Sequence, residues 1–169
     1  EAKRRYGDTP RFLYGHSFGG TQVLNYCLRR ESQLAGVVAS APWLRLAFAP
    51  PRWKRSLATL VGRLWPGFTM ATELEHAHMS HDEEIVAASR EDRFAHGLIS
   101  ARAYLEVNAA GQYALGHAAA FRQPLLVMQG SGDRIVDPDA SREFAEQVRG
   151  DCSLLLWDGL YHELHNEVE

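Results

Sequence analysis

The sequence predicts an α/β protein in which a mostly parallel sheet carries a helical insertion. Four short apolar runs are continuous instead of alternating with polar residues, which is typical of strands covered on both faces. Helical patterns lie between some of these runs, and strand–helix–strand order is characteristic of α/β sheets. A long stretch between the second and third runs has helical patterns of its own, and it is too long for a loop.

In the amino-terminal part, strands are predicted at 11–15 ("RFLYG") and 34–40 ("LAGVVAS"), with a helix at 20–31 between them. Four apolar residues share one side of that helix: Val23, Leu24, Cys27 and Leu28. The two cysteines of the chain, Cys27 and Cys152, are too few for a disulfide framework and are predicted to be small buried residues.

Residues 43–120 are predicted to form a helical cap over the carboxyl edge of the sheet. This stretch has three tryptophans, then an acidic helix start at 80–89 ("SHDEEIVAAS"), then an alanine-rich helical pattern that ends near Ala120. The predicted domain plan is therefore a core with the first strands (1–42), the cap (43–120) and a second part of the core (121–169).

The carboxyl-terminal part is predicted to add strands at 124–130 ("PLLVMQG") and 152–159 ("CSLLLWDG"). A helix at 138–149 lies between them, with Asp137 as N-cap and Pro138 at its first position. Two apolar residues of that helix should point inward: Phe144 and Val148.

Composition excludes some classes of function. A net charge of −3 gives no electrostatic basis for binding nucleic acid. No apolar run reaches the roughly 18 residues that a membrane-spanning helix needs. The "GSGDRI" stretch has Ile135 where a dinucleotide fingerprint needs glycine, and "HELH" spaces its histidines three apart, not four as in a zincin helix.

A second group of histidines, His76, His78 and His81, has two interpretations. It could bind a metal, or it could belong to a solvated loop of the cap, and the loop is favoured. We therefore expect no metal at these histidines.

The stretch "GHSFG" (15–19) places one serine between two glycines, directly after a predicted strand and before a predicted helix. Alone, this G-x-S-x-G pattern is weak, and Ser17 could simply lie in a turn. In a strand–turn–helix setting, however, it is typical of a nucleophile lifted above the sheet. Gly15 and Gly19 are expected to let strand and helix approach closely around the bend.

A serine nucleophile needs a histidine base and an orienting acid, and in this setting they follow in the order Ser, acid, His. Asp133 follows the third strand and has no other evident role, whereas the alternative Asp137 is explained as a helix N-cap. His162 follows the last strand and is the predicted base. Two alternatives are weighed against it and not preferred: His16, beside the serine, and His165.

The stretches "GHSFGG", "SAP", "LLVMQGSGDRIVD" and "YHELHNE", with the cap stretch at 78–106, resemble the monoacylglycerol lipase and lysophospholipase branch of the α/β-hydrolase fold. The resemblance implies that Ser17 is the nucleophile, Asp133 the acid and His162 the base, with the backbone N–H of Phe18 in the oxyanion hole. It also implies hydrolysis of lipid-like monoesters without a cofactor. The alternatives are a general carboxylesterase or peptidase of the same fold, and a non-catalytic binding chain.

The chain departs from that family in what it lacks. Family members have several strands before the nucleophile strand and a His-Gly loop that supplies the second oxyanion donor, whereas this chain begins with "EAKRRYG". We therefore expect the carboxyl-terminal portion of such an enzyme, and the isolated chain to be a poor catalyst.

The segment 43–72 is basic, with no acidic residue. Five apolar residues within it fall at helical spacing: Trp53, Leu57, Leu60, Val61 and Leu64. This stripe either packs on the domain or forms a surface that meets anionic lipid and guides acyl chains. The expected partner is thus a small lipid ester, with peripheral membrane contact through the cap of a cytoplasmic protein.

Overall fold

The structure is a computed structural model that describes residues 2–48, 51–72, 74–94 and 96–168. In chain order, its helices and strands are α1 (Ala2–Tyr6), β1 (Phe12–His16), α2 (Phe18–Arg29), β2 (Gly36–Ser40), α3 (Arg52–Leu64), β3 (Thr69–Ala71), α4 (Glu83–Glu91), β4 (Leu98–Ser100), α5 (Ala101–His117), β5 (Leu125–Gly130), α6 (Pro138–Gln147) and β6 (Cys152–Trp157). Short 3₁₀ helices cover His76–His78, Ala118–Ala120 and Leu164–Asn166.

The main sheet has four parallel strands in the order β1–β2–β5–β6, which confirms the predicted α/β class. Each predicted strand is present, with ends that differ by one or two residues. The last strand stops at Trp157 instead of running to residue 159, because the chain turns at Gly159, whose φ of +74° suits glycine. The carboxyl ends of all four strands lie at one edge, where ligands of parallel sheets are usually bound.

The core lies between the sheet and the helices α2, α5 and α6. Its largest fully buried side chains include Leu24, Val127, Phe121 and Phe144. Burying a side chain of this size contributes about 1.5–3 kcal/mol, so this cluster is the main source of stability. The apolar stripe predicted for the helix at 20–31, which is α2 in the structure, faces this core, and its Leu28 is only partly buried. Val148 lies just after the end of α6 and packs against the same cluster.

The residues between β2 and β5 build a separate layer of short elements. Strands β3 and β4 pair antiparallel, and α3 packs along α5. Helix α5 also packs on α2 of the core, where Ala114 and Leu115 are buried. The predicted boundary of the cap at residue 120 therefore stays a prediction, because α5 contacts both layers.

Helix α3 does not pack through its predicted stripe. Leu57, Leu60 and Leu64 are 47%, 57% and 78% exposed, while Ala58 is 1% exposed. The helix instead turns its small residues inward: a Cβ on Gly62 would lie 2.9 Å from Leu105 of α5. The expectation that this stripe packs on the domain is wrong for these leucines, because α3 meets α5 through Gly62 and not through the leucines. No helix in the described ranges is both long and apolar enough to cross a membrane.

Candidate active site

Ser17 occupies a strained turn between β1 and α2. Its φ of 54° and ψ of −117° lie in a region that non-glycine residues avoid. Its backbone N–H donates to the Ser40 carbonyl at 2.8 Å, which ties the turn to the end of β2. Ser17 stands at the N-cap position of α2, yet its side chain makes no capping hydrogen bond. The hydroxyl is therefore not used in the usual role of a serine before a helix.

The glycines around this turn have different roles. A Cβ on Gly15 would lie 2.2 Å from the Gly19 carbonyl oxygen, so no side chain fits where β1 meets α2. At Gly19 the Cβ would meet nothing within 4 Å, whereas at Gly20 it would lie 2.9 Å from the Cα of Pro42. Close packing thus requires Gly15, as expected, but the second tight position is Gly20 and not Gly19. Gly19 takes part in this contact through its backbone carbonyl, and there is open space where a side chain at position 19 would lie.

The structure brings the three predicted side chains into one hydrogen-bonded chain. His162 Nε2 lies 2.9 Å from Ser17 Oγ, and His162 Nδ1 lies 2.8 Å from Asp133 Oδ2. Asp133 and His162 are each 5% exposed. With its proton on Nδ1, the imidazole donates to Asp133 and accepts from the serine hydroxyl, which is the arrangement of a nucleophile and its base.

Asp133 is held by a complete set of donors. Its Oδ1 accepts from the backbone N–H groups of Ile135 (2.8 Å) and Val136 (3.0 Å). Its Oδ2 accepts from Gln129 Nε2 at 2.9 Å as well as from His162. All four partners are donors, and together they satisfy the acceptor positions of both carboxylate oxygens.

Gln129 and Ser141 belong to this network, and the sequence prediction missed both. Ser141 Oγ donates to Gln129 Oε1 at 2.9 Å, which turns the amide nitrogen towards Asp133. Both residues are fully buried. One signal could have found Gln129, because it is the polar residue inside the otherwise apolar run of the third strand. Ser141 carried no such signal, since its contact depends on how α6 packs on β5.

The alternative acid, Asp137, has the structural role that the sequence suggested. Its Oδ1 accepts from the Asp139 N–H at 3.0 Å and caps α6, and its Oδ2 lies 2.6 Å from Arg45 Nε.

The two alternative histidines lie beside the site with partners of their own. His16 Nδ1 is 3.2 Å from Ser40 Oγ, and its ring lies 4.9 Å from that of His162. Burial, with the neighbouring His162, lowers the pKa of His16 to about 4, so this imidazole is neutral at pH 7. His165 Nε2 is 2.8 Å from the hydroxyl of Tyr14. Neither histidine reaches Ser17 Oγ through a hydrogen bond that the described structure shows.

Phe18 is the first residue of α2. Because the first N–H groups of a helix have no carbonyl partner within it, the Phe18 N–H and the positive end of the helix are suited to a developing oxyanion.

The histidines of the second group are held by different partners. His76 Nδ1 is 2.8 Å from Ser89 Oγ, His78 is 3.7 Å from Glu75, and His81 contacts Glu167. Within the described ranges, no three His, Cys, Asp or Glu residues are placed to hold a metal ion.

A parallel sheet with a strained serine directly after strand β1, next to a buried histidine and a buried aspartate from later loops, is the arrangement of the α/β-hydrolase class. The sequence profile of the serine aminopeptidase S33 family matches residues 1–169, and the chain belongs to that family.

Individual relatives agree with this placement. The chain is 33% identical over 162 residues to a monoacylglycerol lipase of Mycolicibacterium smegmatis, covering 95% of this chain and 58% of that protein. The crystal structure of the Paleococcus ferrophilus monoacylglycerol lipase superposes with a TM-score of 0.90 at 31% identity, over 95% of this chain and 63% of that one. A soluble variant of the Saccharomyces cerevisiae monoglyceride lipase, solved with a substrate analog, shares the fold at a TM-score of 0.84 and 23% identity, over 99% of this chain.

The chain spans 58%, 63% and 59% of the lengths of these three proteins. The predicted resemblance to the monoacylglycerol lipase branch is thereby confirmed at the level of family and fold.

Proposed function

We propose that the protein is a serine hydrolase that cleaves lipid-like carboxylic monoesters, of the monoacylglycerol or lysophospholipid type, through an acyl-enzyme. One observation carries this proposal: the continuous hydrogen-bonded chain from Ser17 Oγ through His162 to Asp133, at 2.9 and 2.8 Å. The strained turn at Ser17, the absence of a capping bond and the family membership support it.

In the proposed reaction, Ser17 Oγ attacks the ester carbonyl carbon while His162 Nε2 takes the hydroxyl proton. Asp133 stabilises the resulting imidazolium and keeps its Nδ1 proton in place. The carbonyl oxygen becomes an oxyanion beside the Phe18 N–H at the start of α2. His162 then protonates the leaving alcohol, and the ester C–O bond breaks. Water, deprotonated by His162, hydrolyses the acyl-serine and releases the fatty acid.

The lipid-like substrate is inferred from relatives and from the exposed face of α3. The monoacylglycerol lipases named above are similar along almost the whole of this chain. Leu57, Leu60 and Leu64 present an apolar surface on a helix whose last turn carries Arg63. An apolar face beside basic residues is suited to contact with anionic lipid, so we propose peripheral contact of a cytoplasmic protein with membranes through α3.

Vesicle binding tests this contact. We expect the protein to sediment with vesicles of anionic phospholipid and to lose this binding when Leu57 and Leu60 are both replaced by Glu. A matched control, Leu155→Glu, changes an exposed leucine of β6, 46% exposed, and should leave vesicle binding unchanged. Equal sedimentation of all three proteins would exclude α3 as the contact.

The central test of the proposed function is covalent labelling and turnover. A fluorophosphonate should label the full-length protein at Ser17, and Ser17→Ala should abolish both labelling and hydrolysis of a monoacylglycerol. Binding and the oxyanion hole alone are expected to leave a small residual rate, about 10³–10⁴-fold above uncatalysed hydrolysis in water. Labelling at another residue would refute the assignment of the nucleophile.

The family description favours one alternative activity, a peptidase of the same fold. An aminoacyl anilide and a monoacylglycerol, assayed side by side, distinguish the two. Faster turnover of the anilide would replace the lipid proposal while leaving Ser17 as the nucleophile.

A further inference from the structure

The segment that carries His162 has little regular structure to hold it. Strand β6 ends at Trp157, and the described residues after it include only the 3₁₀ turn Leu164–Asn166. A proton-transfer site works only when its groups are held to within about 0.5 Å. The contacts of residues 161–167, here called the histidine segment, therefore decide where His162 stands.

One buried carboxylate closes this segment. The Glu167 side chain is only 2% exposed, and its Oε1 accepts from the backbone N–H of Tyr161, the residue directly before His162. The carboxylate thus bonds across the segment and fixes the backbone on one side of the histidine. Asp133, in contrast, holds the imidazole ring itself.

The same carboxylate fastens the histidine segment to residues 79–82, here called the insertion segment. Glu167 Oε2 accepts from the His81 backbone N–H at 2.9 Å, and His81 Nδ1 lies 3.0 Å from both carboxylate oxygens. Ser80 Oγ contacts Glu167 Oε2 at 3.4 Å and donates to the Asn166 carbonyl.

Two further contacts strengthen this junction. The Glu163 N–H donates to the Met79 carbonyl at 2.8 Å. The His81 ring stacks on the Tyr161 ring with centroids 3.7 Å apart and an angle of 27° between the planes. The junction therefore combines backbone, side-chain and stacking contacts between two segments that lie far apart in sequence.

The chemistry of the junction requires a carboxylate. The backbone N–H groups of Tyr161 and His81 converge on Glu167, with the His81 imidazole beside them, while the Ser80 hydroxyl donates its proton to the Asn166 carbonyl. Burial raises the pKa of Glu167, but the hydrogen bonds from His81 and Tyr161 outweigh it and hold the pKa below its ordinary value. A glutamine has the same shape but only one acceptor oxygen, so its NH₂ group would face a backbone donor.

We propose that Glu167 is a positioning residue for His162, which it holds in place by locking the histidine segment to the insertion segment. The position of His162 then depends on the position of the insertion segment, so a displacement of residues 79–82 also displaces the base. This inference rests on the proposed function. It also explains His81 as a partner of Glu167, whereas the sequence had left open that His81 binds a metal.

The test compares Glu167→Gln with Glu163→Gln in the full-length protein. Both changes remove one negative charge from the same segment, but Glu163 Oε2 accepts from a neighbour within the segment, Asn166 Nδ2, at 2.8 Å. We expect Glu167→Gln to lower kcat for a short-chain ester by up to about 10²-fold, the loss typical of a misplacement near 1 Å, with KM within twofold. Glu163→Gln should stay within threefold of the wild type.

A second pair of variants guards against a failure of Glu167→Gln to fold. His81→Gln should lower kcat in the same direction, and His78→Gln, which changes a histidine paired with Glu75, should not. Amide hydrogen exchange gives a readout independent of activity: Glu167→Gln should speed exchange at Tyr161 and His81 together, while amides of β5 keep their protection.

A kcat for Glu167→Gln equal to that of Glu163→Gln would overturn the proposal. So would a lowered melting temperature with unchanged kcat at 25 °C, since Glu167 would then only stabilise the fold. If the wild type hydrolyses no ester, the proposed function fails, and the exchange experiment still decides the junction: unchanged exchange at Tyr161 and His81 would refute it.

Discussion

Replacing Asp133 by Asn exchanges one carboxylate oxygen for an NH₂ group of nearly the same size, and it should nearly abolish hydrolysis. The carboxylate faces donors on both sides: Ile135 and Val136 N–H at Oδ1, and Gln129 and His162 at Oδ2. An asparagine has one oxygen and one NH₂ group, so one side must meet donor against donor.

The two backbone N–H groups can only donate, whereas the imidazole can change its tautomer. The asparagine oxygen should therefore stay with the N–H groups, and its NH₂ should face His162. The imidazole then becomes an acceptor at Nδ1 and carries its proton on Nε2, 2.9 Å from Ser17 Oγ. In that tautomer it cannot take the serine proton. We expect kcat to fall by about 10⁴, the loss typical of the wrong tautomer in a Ser-His-Asp site.

Steady-state turnover of a short-chain nitrophenyl ester by the full-length protein checks this prediction, with thermal unfolding to establish that the variant is folded. Gln129→Leu provides a graded comparison, because it removes one donor from Oδ2 and leaves the carboxylate. It should lower kcat much less than Asp133→Asn does, because the carboxylate still accepts from His162 Nδ1. A folded Asp133→Asn variant that keeps a tenth or more of wild-type kcat would refute the tautomer reasoning.

Three further predictions concern stability and substrate choice. Asp137→Ala should cost about 1 kcal/mol of unfolding free energy as a lost helix cap, with kcat nearly unchanged; a loss of activity like that of Asp133→Asn would mean that the acid is misassigned. The pKa of His16 falls from 6.5 to about 4 on folding, so the unfolded chain binds the proton more readily and stability is lost as the pH falls from 6.5 to 4, by at most about 3 kcal/mol. Denaturant unfolding of His16→Asn should show a smaller loss over that range, and an unchanged pH dependence would contradict the assignment. Leu57→Ser should lower turnover of long-chain monoesters more than of butyrate esters, whereas equal losses would show that this face does not select acyl chains.

The parallel sheet and its flanking helices could be predicted because their signals are local. The uninterrupted apolar runs and the Asp137–Pro138 helix start reappear in the structure with ends that move by one or two residues. The residues Ser17, Asp133 and His162 could be chosen because each follows a predicted strand, and parallel strands bring their carboxyl ends to one edge. The structure places them within hydrogen-bonding distance, while their catalytic roles stay predictions.

The face that α3 buries could not be predicted in the same way. Its leucines follow the helical period, and periodicity identifies an apolar face without saying what covers it. The structure packs Gly62 on α5, buries Ala58 and leaves the leucines exposed. Gly20 in place of Gly19 is a similar case, since the tight contact is with Pro42, which is remote in sequence.

The sequence by itself determined the order of the elements, the serine turn and the identity of the three aligned side chains, since propensity, turn chemistry and spacing act over a few residues. Only the tertiary structure decided which side chains support them. Gln129 and Ser141 meet through the packing of α6 on β5, and Glu167 reaches His81 across 86 positions of chain. Such contacts depend on distances between segments that folding alone brings together, and the chain's local pattern shows at most that Gln129 is a polar residue within an apolar strand.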